Sequence, residues 1–278
     1  CEPVFADVDP DTFNIDPEQI EASITPRTSA IMPVHVFSNP CEIETIDEIA
    51  RRRNLKVVYD AAHAFGTTYN GRSLLEYGDI SATSFHATKL FNTGEGGACV
   101  TNDGELASRL QQLRFFGHDD RKSIVEDGLN GKMTEVHAAL GLANLPHLDA
   151  VLDRRRQIYR QYNEELSGVD WVQFQKVQEE SCNFSYMPVV FDSESRLEAV
   201  VGALQEQRIH ARRYFRPSLN TVGAVGPYQS CPVSESLSAR ILCLPSFHNL
   251  SETTISLICE VMRLSLIHIS EPTRPQCI

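Results

Sequence analysis

The sequence predicts an α/β chain, with a mostly parallel central sheet flanked by helices and a smaller α+β domain at the C-terminal end. Three observations carry that expectation. Short, nearly all-apolar runs such as "LKVVYD" at 55–60 have the composition of strands buried on both faces. Segments such as "CEIETIDEIARRRN" at 41–54 repeat their apolar residues at helical spacing. The two kinds alternate, which implies crossover units that cover a parallel sheet with helices.

Taken in order, Asp16 caps a helix whose first position is Pro17, giving "PEQIEASI"; proline suits that position because its missing N–H has no partner there anyway. "SAIMPVHVF" at 29–37 is rich in β-formers, and "CEIETIDEIARRRN" follows as a helix. "LKVVYD", a helix-turn signal in "GRSLLEYGD", "ISATSF" at 80–85 and "GGACVTN" at 96–102 supply the next strands, before the helix "GELASRLQQLRFF". From Met133 a long helical pattern runs to Gly168. Pro146 interrupts it, since proline cannot donate to the preceding turn, so two helices should meet there. Beyond Gly168 the pattern becomes "NFSYMPVVF" as strand, "SRLEAVVGALQEQ" as helix, "IHARRYF" as strand and "SETTISLICEVMR" as the last helix. The expected domains are therefore 1–150, 151–263 and a tail at 264–278.

That tail stands apart. "LSLIHISEPTR" at 264–274 resembles the translation of a transposase-type sequencing adapter, so 264–278 is expected to be foreign to the fold. The chain also opens on Cys1 rather than Met, and further sequence is expected upstream.

Composition narrows the partners. A net charge of −12 disfavours nucleic acid and anionic membranes, which need clustered Lys and Arg. The "RRR" runs at 51–53 and 154–156 read as solvated helix faces. No apolar run is long enough for a transmembrane helix. Eight cysteines without a C-x-x-C pair suit reduced thiols in a cytoplasm and no structural metal.

Chemistry-bearing residues collect in one place. Ligands of open parallel sheets bind beyond the carboxyl ends of the strands, and the strands ending at Asp60 and Ser84 put Asp60, His63, Ser84, His86 and Lys89 on one rim. A lysine facing a carboxylate across an apolar cleft suits a Schiff base with pyridoxal phosphate. Burial frees the amine of its proton, and the carboxylate keeps the ring nitrogen protonated so that the ring withdraws electrons. Singly, each residue has a plainer reading: Asp60 as a turn cap, Lys89 as a surface lysine, the histidines as polar rim residues, "GEGG" as a turn. The glycines are neither a dinucleotide fingerprint nor a P-loop.

In combination, "VVYDAAHAFG", "GDISATSFHATKLFNTGEGGACVTND", "LRFFG" and "GLNGKMTEVHAALGLANL" resemble the DegT/StrS-type sugar aminotransferases, pyridoxal 5'-phosphate enzymes of fold type I. The resemblance runs from about Pro3 to Arg263. It implies transfer of an amino group from L-glutamate to a nucleotide-linked keto sugar, with the wording "DAAHAFG" and "SFHATK" pointing to dTDP-4-keto-6-deoxyglucose. It also implies that Lys89 forms the Schiff base, Asp60 pairs with the pyridine nitrogen, His63 stacks on the ring, Ser84 binds the phosphate and Ala62 adjoins the cofactor. Asn130 would reach the phosphate of a neighbouring subunit, making the enzyme a homodimer with shared sites, and His86 and Tyr214 would contact substrate. Asn220 stands where many relatives carry a histidine near the substrate. The other readings are amination at C3 and a non-catalytic ligand-binding relative. Lys89 argues against a dehydratase, which would carry histidine there.

Overall fold

The computed structural model describes residues 1–179 and 182–265. Its described residues divide into two compact units, one formed by 14–152 with 177–179 and 182–185, the other by 1–13, 153–176 and 186–265.

The first unit is built around a four-stranded sheet. It begins with α1 (Pro17–Ser23), where the Asp16 carboxylate accepts the Glu18 N–H at 2.9 Å. Then come β1 (Ala30–Ile31), α2 (Ile43–Arg53), β2 (Lys56–Asp60), the small hairpin of β3 (Thr68–Tyr69) and β4 (Arg72–Ser73), β5 (Ile80–Ser84) and β6 (Gly97–Val100). The sheet order is β1-β2-β5-β6; the first two pairings are parallel and the third antiparallel. Ile43, Ile46, Ile49 and Ala50 form the buried stripe of α2, while Arg51, Arg52 and Arg53 occupy its last turn, where cations complement the carbonyl end of the helix dipole. Two helices, α3 (Gly104–Arg114) and α4 (Glu135–Asn144), follow.

As the spacing predicts, Pro146 separates helices. It lies in a 3-10 turn, Leu145–His147, between α4 and α5 (Leu148–Glu165). The boundary between the two units falls within α5, after Leu152.

The second unit holds an antiparallel three-stranded sheet, β7 (Val172–Phe174), β8 (Met187–Phe191) and β9 (Ile241–Leu244), in that order. It also holds α6 (Glu194–Glu206), α7 (Pro232–Arg240) and α8 (Glu252–Leu264). Its core gathers Tyr162, Met187, Phe191, Leu197, Leu242 and Ile258, all at most 1% exposed. Trp171 stacks on Phe191 with ring centroids 5.8 Å apart, and the Arg196 guanidinium lies over the indole.

Three expectations need correction. The run 29–37 yields the two-residue β1, an isolated parallel bridge of Val34 to Asp60 and a 3-10 turn at Val36–Ser38, where Phe37 and Ser38 take left-handed backbone angles (φ 55° and 72°) that end extended pairing. "IHARRYF" is no strand; only Arg212 pairs, with Cys243. Arg155 is no solvated residue either, since its guanidinium donates to the Ser246 carbonyl and to Ser246 Oγ. Of the tail set apart at 264–278, Leu264 closes α8, and residues 266–278 lie outside the described residues.

Candidate functional site

A cleft in the first unit is lined by Ala62, His63, Phe65, Ser84, Lys89 and Leu90, with Phe91, Asn183 and Ser185. Its floor is aromatic. Phe65 and Phe91 stack at 4.5 Å, and Phe85 meets each of them edge-on.

Lys89 belongs to a loop that closes on itself. Phe85 N–H donates to the Gly96 carbonyl, Thr93 N–H to the Phe85 carbonyl, and Lys89 N–H to the His86 carbonyl, all at 2.8–2.9 Å. The glycines make this turn possible. Gly94 has φ +77°, and a Cβ on Gly97 would come within 2.7 Å of the Thr83 carbonyl across the β5–β6 pairing. Burial lowers the Lys89 pKa from its ordinary value, and the Asp60 charge opposes that shift. The amine is therefore biased toward its neutral, nucleophilic form.

Asp60 ends β2 with its backbone held on both sides: its N–H donates to the Pro33 carbonyl and its carbonyl accepts the His35 N–H. Its carboxylate accepts the Ala62 N–H at 3.0 Å. His63 is 9% exposed, and burial, helped by the Lys89 charge, pulls its pKa down to about 3. Its Nδ1 accepts the Phe37 N–H at 3.3 Å, so the neutral ring carries its proton on Nε2. Ser84 Oγ accepts the His86 N–H at 3.3 Å.

The fold thus brings Ala62, His63, Ser84 and Lys89 to one cleft, with the charge of Asp60 acting on the Lys89 amine. His86 does not line it; the ring is exposed, bonded through Nδ1 to Thr88 Oγ1 and 3.7 Å from the Glu95 carboxylate. Asn130 is also exposed, and its Oδ1 accepts from Lys132 Nζ at 2.6 Å. Tyr214 belongs to the second unit, where its hydroxyl accepts from Arg212 at 3.1 Å and its ring stacks on Phe215. Asn220, also of the second unit, is 2% exposed; its amide donates to the Gln229 carbonyl and to Glu235. Sequence reasoning missed Asn183 and Ser185, which reach the cleft from 120 residues away.

The chain matches the DegT/DnrJ/EryC1/StrS aminotransferase family over residues 1–263 and belongs to that family. It is accordingly a pyridoxal-phosphate-dependent aminotransferase of fold type I. It is 43% identical to a dTDP-4-amino-4,6-dideoxy-D-glucose transaminase of Shigella dysenteriae, over 94% of this chain and 73% of that protein. To a GDP-perosamine synthase of Escherichia coli O157:H7 it is 35% identical, over 93% of this chain and 71% of that protein. Among solved structures, that of DesI in the presence of its TDP-sugar product is similar, with a TM-score of 0.88, 36% identity, and coverage of 94% of this chain and 68% of that one. Among the described residues, no helix is long and apolar enough to cross a membrane.

Proposed function

We propose that this aminotransferase moves an amino group from L-glutamate to C4 of a nucleotide-linked 4-keto-6-deoxysugar, dTDP-4-keto-6-deoxyglucose above all, in a cytoplasmic pathway of amino-sugar synthesis. One observation carries the assignment of the site: Lys89 is a partly buried amine, shifted by burial toward its neutral form, in a cleft with His63 and Ser84 and within reach of the Asp60 charge.

The donor set fits pyridoxal phosphate. It offers an amine whose charged form burial disfavours for an aldehyde, a carboxylate for a ring nitrogen, a flat neutral imidazole for a ring face and a hydroxyl for a phosphate. Bound there, the cofactor supplies an aldehyde that links to amines and a ring that accepts the electron pair left on a substrate carbon. Lys89 Nζ would be the attachment point and then the base that takes the proton from the amino-bearing carbon of the donor and delivers it to the former aldehyde carbon of the cofactor. The Asp60 carboxylate would hold a proton on the ring nitrogen. His63, neutral down to about pH 3, can lie against the ring without opposing that positive charge. Phe65 and Phe91 give the cleft an apolar wall.

The proposed assembly is a homodimer in which Asn130 serves the partner's site. Supporting it, Phe116, Ile124, Leu129, Val136, Leu142 and Leu145 are 40–78% exposed within one stretch, more apolar surface than isolated surface residues account for.

The test is to add pyridoxal phosphate, reduce with borohydride and map the pyridoxyl mass. Label on the Lys89 peptide supports the assignment, and label elsewhere or nowhere overturns it. Product analysis then decides the sugar; amination at C3, or no turnover of the 4-keto sugar, removes that part of the proposal.

A further inference from the structure

One wall of the cleft is held by a single buried amide. Asn183, 1% exposed, donates from Nδ2 to the backbone carbonyls of His63 (2.7 Å) and Phe65 (2.9 Å), while its Oδ1 accepts the Ser185 N–H at 2.9 Å. Phe184, between them, takes a left-handed backbone angle (φ 49°), a strained state that persists only when its surroundings enforce it. The result is a defined place for Ser185. Its Oγ is buried and has no hydrogen-bond partner among the described residues, although the residue lines the cleft with Lys89, His63 and Ser84.

A buried hydroxyl without a partner is costly. Ser185 is therefore better explained by what enters the cleft than by what packs around it. Besides the Asn183 amide, whose donors are spent on the two carbonyls, the polar groups lining the cleft are two hydroxyls, a neutral imidazole and an amine, and Asp60, the carboxylate that acts on the amine, lies outside that lining. Such a wall offers donors, and it suits an acceptor that bears negative charge.

We propose that Ser185 is a further ligand-contacting residue, its Oγ donating to an anionic oxygen of the molecule held against Lys89, and that Asn183 is a positioning residue that sets Ser185 and His63 in one frame. The inference rests on the aminotransferase reading of the site. The cofactor and the amino-acid donor both bring anionic oxygens beside Lys89, whereas the diphosphate of the sugar substrate is set apart from its reacting carbon by the sugar ring, and the experiment separates the first two.

Ser185→Ala is compared with the unsubstituted full chain in three measurements: pyridoxal phosphate affinity by absorbance titration, KM and kcat for L-glutamate, and Tm without ligand. Losing a hydrogen bond to a charged group weakens binding by about tenfold or more. The expected result is that loss with Tm unchanged or raised, since the substitution removes an unsatisfied buried group. A shift in cofactor affinity assigns the oxygen to the cofactor. A rise in KM for L-glutamate at unchanged cofactor affinity assigns it to the donor. The proposal is overturned if both constants stay within twofold of the parent, or if Tm falls while binding holds. Asn183→Ala should lower cofactor affinity and Tm together; a change in Tm alone removes its positioning role. Borohydride labelling of the unsubstituted chain keeps the two readings apart. If Lys89 is labelled and Ser185→Ala behaves as parent, only the Ser185 inference fails, whereas an unlabelled parent sinks the aminotransferase site and this inference with it.

Discussion

His63 Nδ1 accepts the backbone N–H of Phe37 at 3.3 Å, and the two rings lie 6.1 Å apart and within 6° of parallel. One backbone donor thereby decides which nitrogen of the imidazole carries the proton, and a neighbouring ring decides its plane. His63→Ala leaves that buried N–H without its acceptor, a loss of about 1–3 kcal/mol of stability. His63→Asn, whose side-chain oxygen can accept the same bond, should recover part of it. Urea unfolding of both variants checks the ordering.

Lys89→Ala should keep the fold and lose transamination. A positioned base alone contributes about 100-fold to 10,000-fold, and the attachment point is lost as well. Activity above about one hundredth of the parent, with circular dichroism unchanged, contradicts the role assigned to this amine.

Acid should destabilise the protein through two histidines. Burial holds both His35, which is fully buried, and His63 near pKa 3 in the folded chain, whereas in the unfolded chain they titrate near 6.5. Between those values the unfolded state binds more protons, so stability present above about pH 6.5 is lost as pH falls toward 3. At pH 5 the loss is about 2 kcal/mol per histidine. Denaturant midpoints at pH 7.5 and 5.0 should differ in that direction, and less in His63→Gln. A midpoint that rises on acidification contradicts the burial-driven shift.

Placing a charge on the apolar stretch tests the dimer. Leu142→Asp, at a position 72% exposed, should leave a single chain folded while abolishing self-association and most activity. Sedimentation together with an activity assay reads both, and an active monomer removes the shared-site proposal.

Gly97→Ala should destabilise the chain, because the new methyl would sit 2.7 Å from the Thr83 carbonyl oxygen inside the β5–β6 pairing. Overpacking of this kind costs about 1–3 kcal/mol. Thermal melting checks it.

Much of the cleft was legible because its parts lie close together in sequence. The strand ending at Asp60 is a largely apolar run, and the lysine follows Ser84, the end of β5, by only five positions. The segment 182–185 was not legible: "NFSYMPVVF" reads locally as one strand, yet only Met187–Phe191 extends. What draws Asn183 aside is a pair of carbonyl acceptors at His63 and Phe65, which no local period encodes. Nor does β propensity reveal that Phe37 and Ser38 turn left-handed; His63 and the buried Ser38 Oγ–Cys182 Sγ contact lie far off in the chain. β9 escaped because "ILCL" is four residues long and buried throughout, too short to distinguish strand from helix by pattern.

The only tryptophan of the chain, Trp171, lies in the unit of β7–β9, stacked on Phe191 beneath an arginine. Its emission is thus a private thermometer for that unit and is silent about the unit that holds Lys89. Following indole fluorescence and far-ultraviolet dichroism through one thermal scan would reveal whether the two units melt as one cooperative body or in succession, without a label on either.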